Sequence, residues 1–142
     1  MSKLGYACGV FDIVHGGHIN LLRNAKALCD KLIVGVSTDE LVISYKNKKP
    51  IIQFSERIEI VRSIKYVDCA VSQYDLDNIE AYDKLKYNIL FVGDDHFREK
   101  VWNTYEDILM KFNVEVIYLP YTSGVSSTIL RERMIYGWKC NW

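Results

Sequence analysis

Two short runs, Lys-Leu-Ile-Val-Gly-Val-Ser at 31–37 and Asn-Ile-Leu-Phe-Val-Gly-Asp at 88–94, place apolar residues side by side instead of on alternate positions. A strand with one wet face alternates; a strand covered on both faces does not. Doubly covered strands belong to parallel sheets, whose helical crossovers pack against both faces. This feature confines the chain to the α/β class and requires a helical segment between successive strands.

The intervening segments have that character. Residues 4–9 (LGYACG) read as a first buried strand, and a helix follows over 18–30, with Leu21, Leu22, Ala25, Leu28 and Cys29 on one face. After strand 31–37 a polar, lysine-rich loop is expected over about 44–53, then a helix over 55–65 marked by Ile58, Val61 and Ile64. CAVSQ at 69–73 is the third strand. Asp77 and Glu80 have the spacing of a capping box and open a helix to about residue 86. Strand 88–94, a helix over about 103–112, strand EVIYLP at 115–120 and a last helix from near Ser126 complete the series. The repeated order predicts a Rossmann-like α/β fold in one domain over 1–142, with a sheet of about five mostly parallel strands and helices on both faces.

Charge and cysteine usage narrow the function. Lysine plus arginine equals aspartate plus glutamate at 18 each, so no electrostatic footprint for nucleic acid appears. Cys8, Cys29, Cys69 and Cys140 are scattered, without a Cys-x-x-Cys pair, and read as reduced thiols. No stretch approaches the roughly 20 apolar residues of a membrane span, and the N-terminus lacks signal-peptide features. A cytoplasmic protein is expected.

The chemistry concentrates in two segments. The first, Gly9-Val10-Phe11-Asp12-Ile13-Val14-His15-Gly16-Gly17-His18, links the first strand to the first helix. Ligands of open α/β sheets bind beyond the carboxyl ends of strands, and glycines at a helix start let backbone approach a phosphate. Two of the chain's three histidines lie in this turn, where imidazoles can stabilise charge building on phosphate oxygens. The second, Thr122-Ser123-Gly124-Val125-Ser126-Ser127-Thr128 with Arg131 beyond it, gathers N–H and O–H donors at a helix start. Such hydroxyls serve either as helix caps or as anion donors.

The first segment resembles the G-x-F-D-x-x-H-x-G-H signature of the cytidylyltransferase-like nucleotidyltransferases. The second resembles that superfamily's closing motif, lying between its R-T-x-G-I-S-T-[ST] and I-S-S-T-x-x-R forms. The similarity extends from about Gly5 to Met134 and takes in Ser37-Thr38-Asp39-Glu40, the basic loop from Lys46 to Pro50, Arg57, Tyr66-Val67-Asp68 and Gly93-Asp94-Asp95. It implies that His15, His18 and Lys46 are catalytic. It places Gly9, Val10, Phe11, Asp12, Gly17, Gly93, Asp94, Thr122, Ser126, Ser127 and Thr128 around a nucleotide. Arg57, Lys65 and Arg131 are candidate phosphate contacts.

The activity so implied joins a nucleoside triphosphate to a phosphorylated small molecule and releases pyrophosphate. CTP with glycerol 3-phosphate, giving CDP-glycerol, is the leading pair. Another polyol or amino-alcohol phosphate, adenylyl transfer from ATP to a sugar phosphate or FMN, and a nucleotide sensor without catalysis are the alternatives. Mg²⁺ is expected on the triphosphate with few protein ligands, and a homodimer is expected as the assembly. Two residues depart from the family pattern: Tyr121 and Lys65 stand where arginines are usual. Tyrosine offers no charge, and lysine lacks the guanidinium's fork.

Overall fold

The computed structural model describes residues 2–76, 78–93, 100–120 and 122–137, with the side chains of 100–105 excepted. The chain alternates through β1 (Leu4–Gly9), α1 (Gly16–Ala27), β2 (Lys31–Ser37), α2 (Asp39–Lys46), α3 (Phe54–Arg62) and β3 (Cys69–Gln73). It continues through α4 (Asn78–Leu85), β4 (Ile89–Gly93), α5 (Lys100–Lys111), β5 (Glu115–Leu119) and α6 (Ser127–Tyr136). The five strands form one sheet in the order β3-β2-β1-β4-β5. All four pairings are parallel, with Ala7 opposite Val34 on one side and Phe91 on the other.

The unbroken apolar runs have the predicted consequence. Val34, Val36, Ile89 and Phe91 join Leu22 and Ala25 of α1 and Val61 of α3 on one face of the sheet. Tyr6, Ile33, Leu90 and Val92 join Tyr87, Leu109 of α5 and Val114 on the other, where Ile79 and Tyr82 of α4 complete the layer. Tyr6 lies across β2 so closely that a Cβ at Gly35 would fall 2.2 Å from its hydroxyl. Glycine there is a packing requirement.

Capping sets the bounds of three helices apart from expectation. The first helix begins at Gly16, two residues early, because the side chain of His15 caps it. It ends at Ala27, so Leu28, expected on the apolar face, is the C-cap and is 49% exposed. Residues 39–46 are helical where a loop was expected from 44. Thr38 accepts from the Leu41 N–H at 3.2 Å, Asp39 and Glu40 occupy the favourable first turn, and Leu41 and Val42 are buried. The third helix stops at Arg62 with Ser63 as its cap, leaving Lys65 outside it. Asp77, the expected cap of α4, lies outside the described residues.

Candidate active site

Connections from β1 run outward through β2 to β3, and the chain then returns to place β4 on the opposite side of β1. The crevice between the carboxyl ends of β1 and β4 is therefore the switch point of the sheet, where open α/β folds bind ligands. The first motif enters it on an unusual path. Phe11 and Ile13 both have left-handed backbones, with φ of 55° and 54°, a conformation that non-glycine residues adopt at a cost. This path turns the Phe11 ring into the core, where it supports His18 with ring centroids 5.3 Å apart.

The histidines are held by the backbone of their own turn. His15 Nδ1 accepts from the Gly17 N–H at 3.0 Å, and His18 Nδ1 accepts from the His15 N–H at 3.2 Å. Each imidazole accepting at Nδ1 is neutral and carries its proton on Nε2. Electrostatics agree: burial, and then the neighbouring His15, lower the His18 pKa to about 4, and burial lowers that of His15. The rings lie 4.0 Å apart. Both are thus oriented neutral donors.

Asp12 is the hub of the surrounding scaffold. Its carboxylate accepts from the Ile51 and Ile52 N–H groups at 2.9 and 3.0 Å and pairs with Arg131 at 3.1 Å. Its carbonyl accepts from the Ser127 hydroxyl. One residue thereby fastens the lysine loop and the start of α6 to the first motif. Arg57, a candidate phosphate contact in the sequence, has a different role. It is fully buried and donates to the carbonyls of Val10, Ser37 and Ile52 at 2.6–2.8 Å, and it pairs with Asp39 at 2.7 Å. Its guanidinium is occupied by the scaffold. Lys65 is also displaced from its expected role. It precedes β3, at the amino end of the strands, with its ammonium over the Tyr66 ring, whereas the site lies at the carboxyl ends.

Two chambers open at those carboxyl ends. One, of about 330 Å³, lies at the switch point and is lined by His15, Gly17 and His18 of α1 and its cap, Phe91 to Gly93 of β4, Pro120, Thr122 and Ser126 to Thr128. The N-termini of α1 and α6 both face it, as suits an anion. The Ser126 hydroxyl caps α6 by accepting from the Ile129 N–H at 3.0 Å, and Thr122 accepts from Asn20 at 3.3 Å. The second chamber, of about 480 Å³, lies over β1, β2 and β3. Val10, Phe11, Val42, Tyr45, Pro50 and Leu76 give it an apolar wall; Lys46, Lys48 and Lys49 line its rim, and Ser37 and Gln73 its floor. Cys8, His18, Lys46, Ser127 and Arg131 line both chambers. Burial, with Arg131 and Lys48 nearby, lowers the Lys46 pKa.

Residues 6–133 match the Cytidylyltransferase-like family. The chain belongs to that family. It is 39% identical over 128 residues to glycerol-3-phosphate cytidylyltransferase of Bacillus subtilis, covering 89% of this chain and 92% of the relative. It is 36% identical over 138 residues to FAD synthase of Korarchaeum cryptofilum, covering 95% and 93%. Among solved structures, a lipopolysaccharide core biosynthesis protein from Thermoplasma volcanium superposes with a TM-score of 0.71 at 27% identity, covering 86% of this chain and 98% of that one. The protein is a nucleotidyltransferase of the cytidylyltransferase-like family.

The family motifs therefore meet in space. His15, Gly17, Gly93, Thr122, Ser126, Ser127 and Thr128 gather at the first chamber, Gly9, Val10, Phe11 and Asp12 at the second, and His18, Lys46 and Arg131 where the two join. Asp94 and Tyr121 lie outside the described residues. Sequence reading missed Cys8, Ser37, Tyr45 and Gln73, which line the larger chamber. Ser37 and Gln73 end their strands and Cys8 nearly ends its own, the one signal that marked them as ligand-facing.

Proposed function

We propose that the protein transfers a cytidylyl group from CTP to a phosphorylated polyol, with glycerol 3-phosphate the leading acceptor. The observation that carries this reading is the pair of chambers joined through His18, Lys46, Ser127 and Arg131. A nucleotide seated at the switch point would lay its phosphates across the two helix N-termini. An acceptor phosphate drawn in by Lys46, Lys48 and Lys49 would approach from the other chamber. Its oxygen attacks the α-phosphorus and forms the new P–O bond. The bond to the bridging oxygen of the β-phosphate breaks in line, and pyrophosphate leaves with the electron pair.

Such chemistry needs alignment and charge stabilisation, with no covalent intermediate. The Nε2–H groups of His15 and His18 supply donors where charge builds, and being pre-oriented by the backbone they need little rearrangement as the reaction proceeds. Mg²⁺ is the expected companion of the triphosphate. Among the described residues no three metal-ligating side chains cluster, and the Asp12 carboxylate is committed to Ile51, Ile52 and Arg131. The cation would be held by phosphate oxygens and water, and would supply charge neutralisation on the leaving group.

A second reading, adenylyl transfer from ATP to FMN, has two observations in its favour. The apolar wall of Phe11, Val42, Tyr45 and Leu76 in a chamber of about 480 Å³ suits a ring-bearing acceptor, and a FAD synthase is among the relatives. Pyrophosphate release, measured for CTP and ATP each with glycerol 3-phosphate and FMN, separates the two. Turnover confined to CTP with glycerol 3-phosphate supports the first reading. Turnover confined to ATP with FMN replaces it with the second.

A further inference from the structure

The floor of the larger chamber holds polar groups that phosphate binding does not use. Gln73, the last residue of β3, is 6% exposed and lines the chamber from below. Its carboxamide oxygen accepts from the Ser37 hydroxyl at 2.8 Å, and Ser37 is itself buried at the end of β2 with a second contact to the Gly9 carbonyl at 3.2 Å. With the Ser37 proton on the shorter of these two contacts, the amide oxygen faces β2 and the NH₂ is left toward Cys8 and the chamber. The Cys8 thiol is a partner on that side, and it passes its own proton to Asn78 at 3.4 Å. One sulfur contact occupies one of the two N–H bonds. The rim of the chamber is cationic while its floor is neutral and polar, so a bound phosphate ester has its phosphate at one end and meets Gln73 at the other.

We propose that Gln73, oriented by Ser37, is an acceptor-specificity residue that donates to an uncharged oxygen, a hydroxyl or carbonyl, on the part of the acceptor remote from its phosphate. This rests on the larger chamber being the acceptor site. The ligand class is a phosphate monoester with an oxygen function several bonds from phosphorus; a plain alkyl phosphate lacks the group that Gln73 reads. Buried amides discriminate strongly in this way, because an unmatched N–H is left without water or partner.

The test compares catalytic efficiency for an oxygen-bearing acceptor and its deoxygenated analogue, glycerol 3-phosphate against n-propyl phosphate, in wild type and Gln73→Met. If wild type uses FMN, the KM for FMN is compared between wild type and Gln73→Met, with a rise expected in the variant. Wild type is expected to favour the oxygenated acceptor by about 5- to 10-fold, the scale of one net hydrogen bond. In Gln73→Met that preference should collapse toward unity, with the acceptor KM raised and the nucleotide KM unchanged. Should Gln73→Met fail to fold, Ser37→Ala carries the same test: it frees the amide to rotate and should lower the preference part-way. An unchanged preference in a folded variant overturns the assignment of Gln73 while leaving nucleotidyl transfer intact. Wild-type enzyme that releases no pyrophosphate with any phosphorylated acceptor overturns the functional reading, and the assignment with it.

Discussion

Replacing Arg57 by leucine should destabilise the fold far more than it weakens nucleotide binding. The side chain is fully buried and directs its donors to three carbonyls and to Asp39. Leucine fills part of the volume but leaves the Val10, Ser37 and Ile52 carbonyls without this donor, and it strands the Asp39 carboxylate. Removing one member of a buried ion pair costs about 3–5 kcal/mol. Asp39 is 26% exposed, so water recovers part of its solvation, and about 3–4 kcal/mol is expected. That is a large fraction of a total stability of about 5–15 kcal/mol. In urea, with a slope of about 2 kcal/mol/M, the unfolding midpoint should fall by about 1.5–2 M. Arg57→Lys keeps the charge but cannot reach four directions, and it should fall between the two. The assay is equilibrium unfolding of the nucleotide-free protein. A loss below about 1 kcal/mol, combined with a large fall in nucleotide affinity measured by calorimetry, would refute the scaffold role and restore Arg57 as a phosphate contact.

His15→Ala and His18→Ala should each lower the turnover number by about 10²-fold or more, the scale of removing one transition-state donor, with circular dichroism unchanged. Retained turnover in either variant contradicts the donor role. Burial holds His18 at about 4 in the folded protein, below its unfolded value of about 6.5. The unfolded chain therefore binds the proton first, and the His18 contribution to stability is lost as pH falls from about 6.5 to about 4. The difference in urea midpoint between wild type and His18→Gln, followed from pH 7 to pH 4.5, tests this; a difference that stays constant would rule it out. A homodimer is expected from the family resemblance, and light scattering should return twice the 16.5 kDa chain mass; an active species at the single-chain mass would exclude it.

Strands and the first motif were legible because their physics is local. Consecutive apolar residues demand coverage on both faces, and a parallel sheet supplies it. The helix over 39–46 went unassigned, and its last turn, 44–46, was read into the lysine-rich loop, although Thr38-Asp39-Glu40 was a helix start in plain view. Arg57 and Lys65 show the opposite limit. Both are cations that the family resemblance made candidate phosphate contacts, yet one is absorbed by three carbonyls and the other lies at the amino end of the sheet. Partner choice for a guanidinium depends on backbone groups contributed by residues 10, 37 and 52, and no pattern in the sequence brings those together. Gln73 escaped notice for a similar reason: its place beside Ser37 follows from the register of β2 and β3, which only the assembled sheet reveals.

If nucleotidyl transfer proceeds as proposed, the neutral state of the two histidines gives the neighbouring lysines a role. Their rings are 4.0 Å apart, and two unit charges at that separation repel by about 4 kcal/mol at an effective dielectric of 20. The backbone N–H groups of Gly17 and His15 occupy both Nδ1 atoms, so a second proton on either ring would also break a hydrogen bond of the turn. The imidazoles are therefore built to donate without carrying charge. Neutralisation of the phosphates must come from elsewhere, and Lys46, Lys48 and Lys49 line the adjoining chamber. Asp12 holds their loop through Ile51 and Ile52 and holds α6 through Arg131. On the proposed reading, the neutral histidine donors would meet the reacting phosphorus and the lysines the flexible phosphates, and Asp12 fastens the lysine loop and α6 to the turn that carries the histidines. Asp12→Asn should keep the fold's core yet lose the Arg131 pair and loosen the lysine loop. Its expected signature is a fall in turnover with raised KM for both substrates, read by steady-state kinetics. A change confined to one substrate would show that the two chambers are held independently of Asp12.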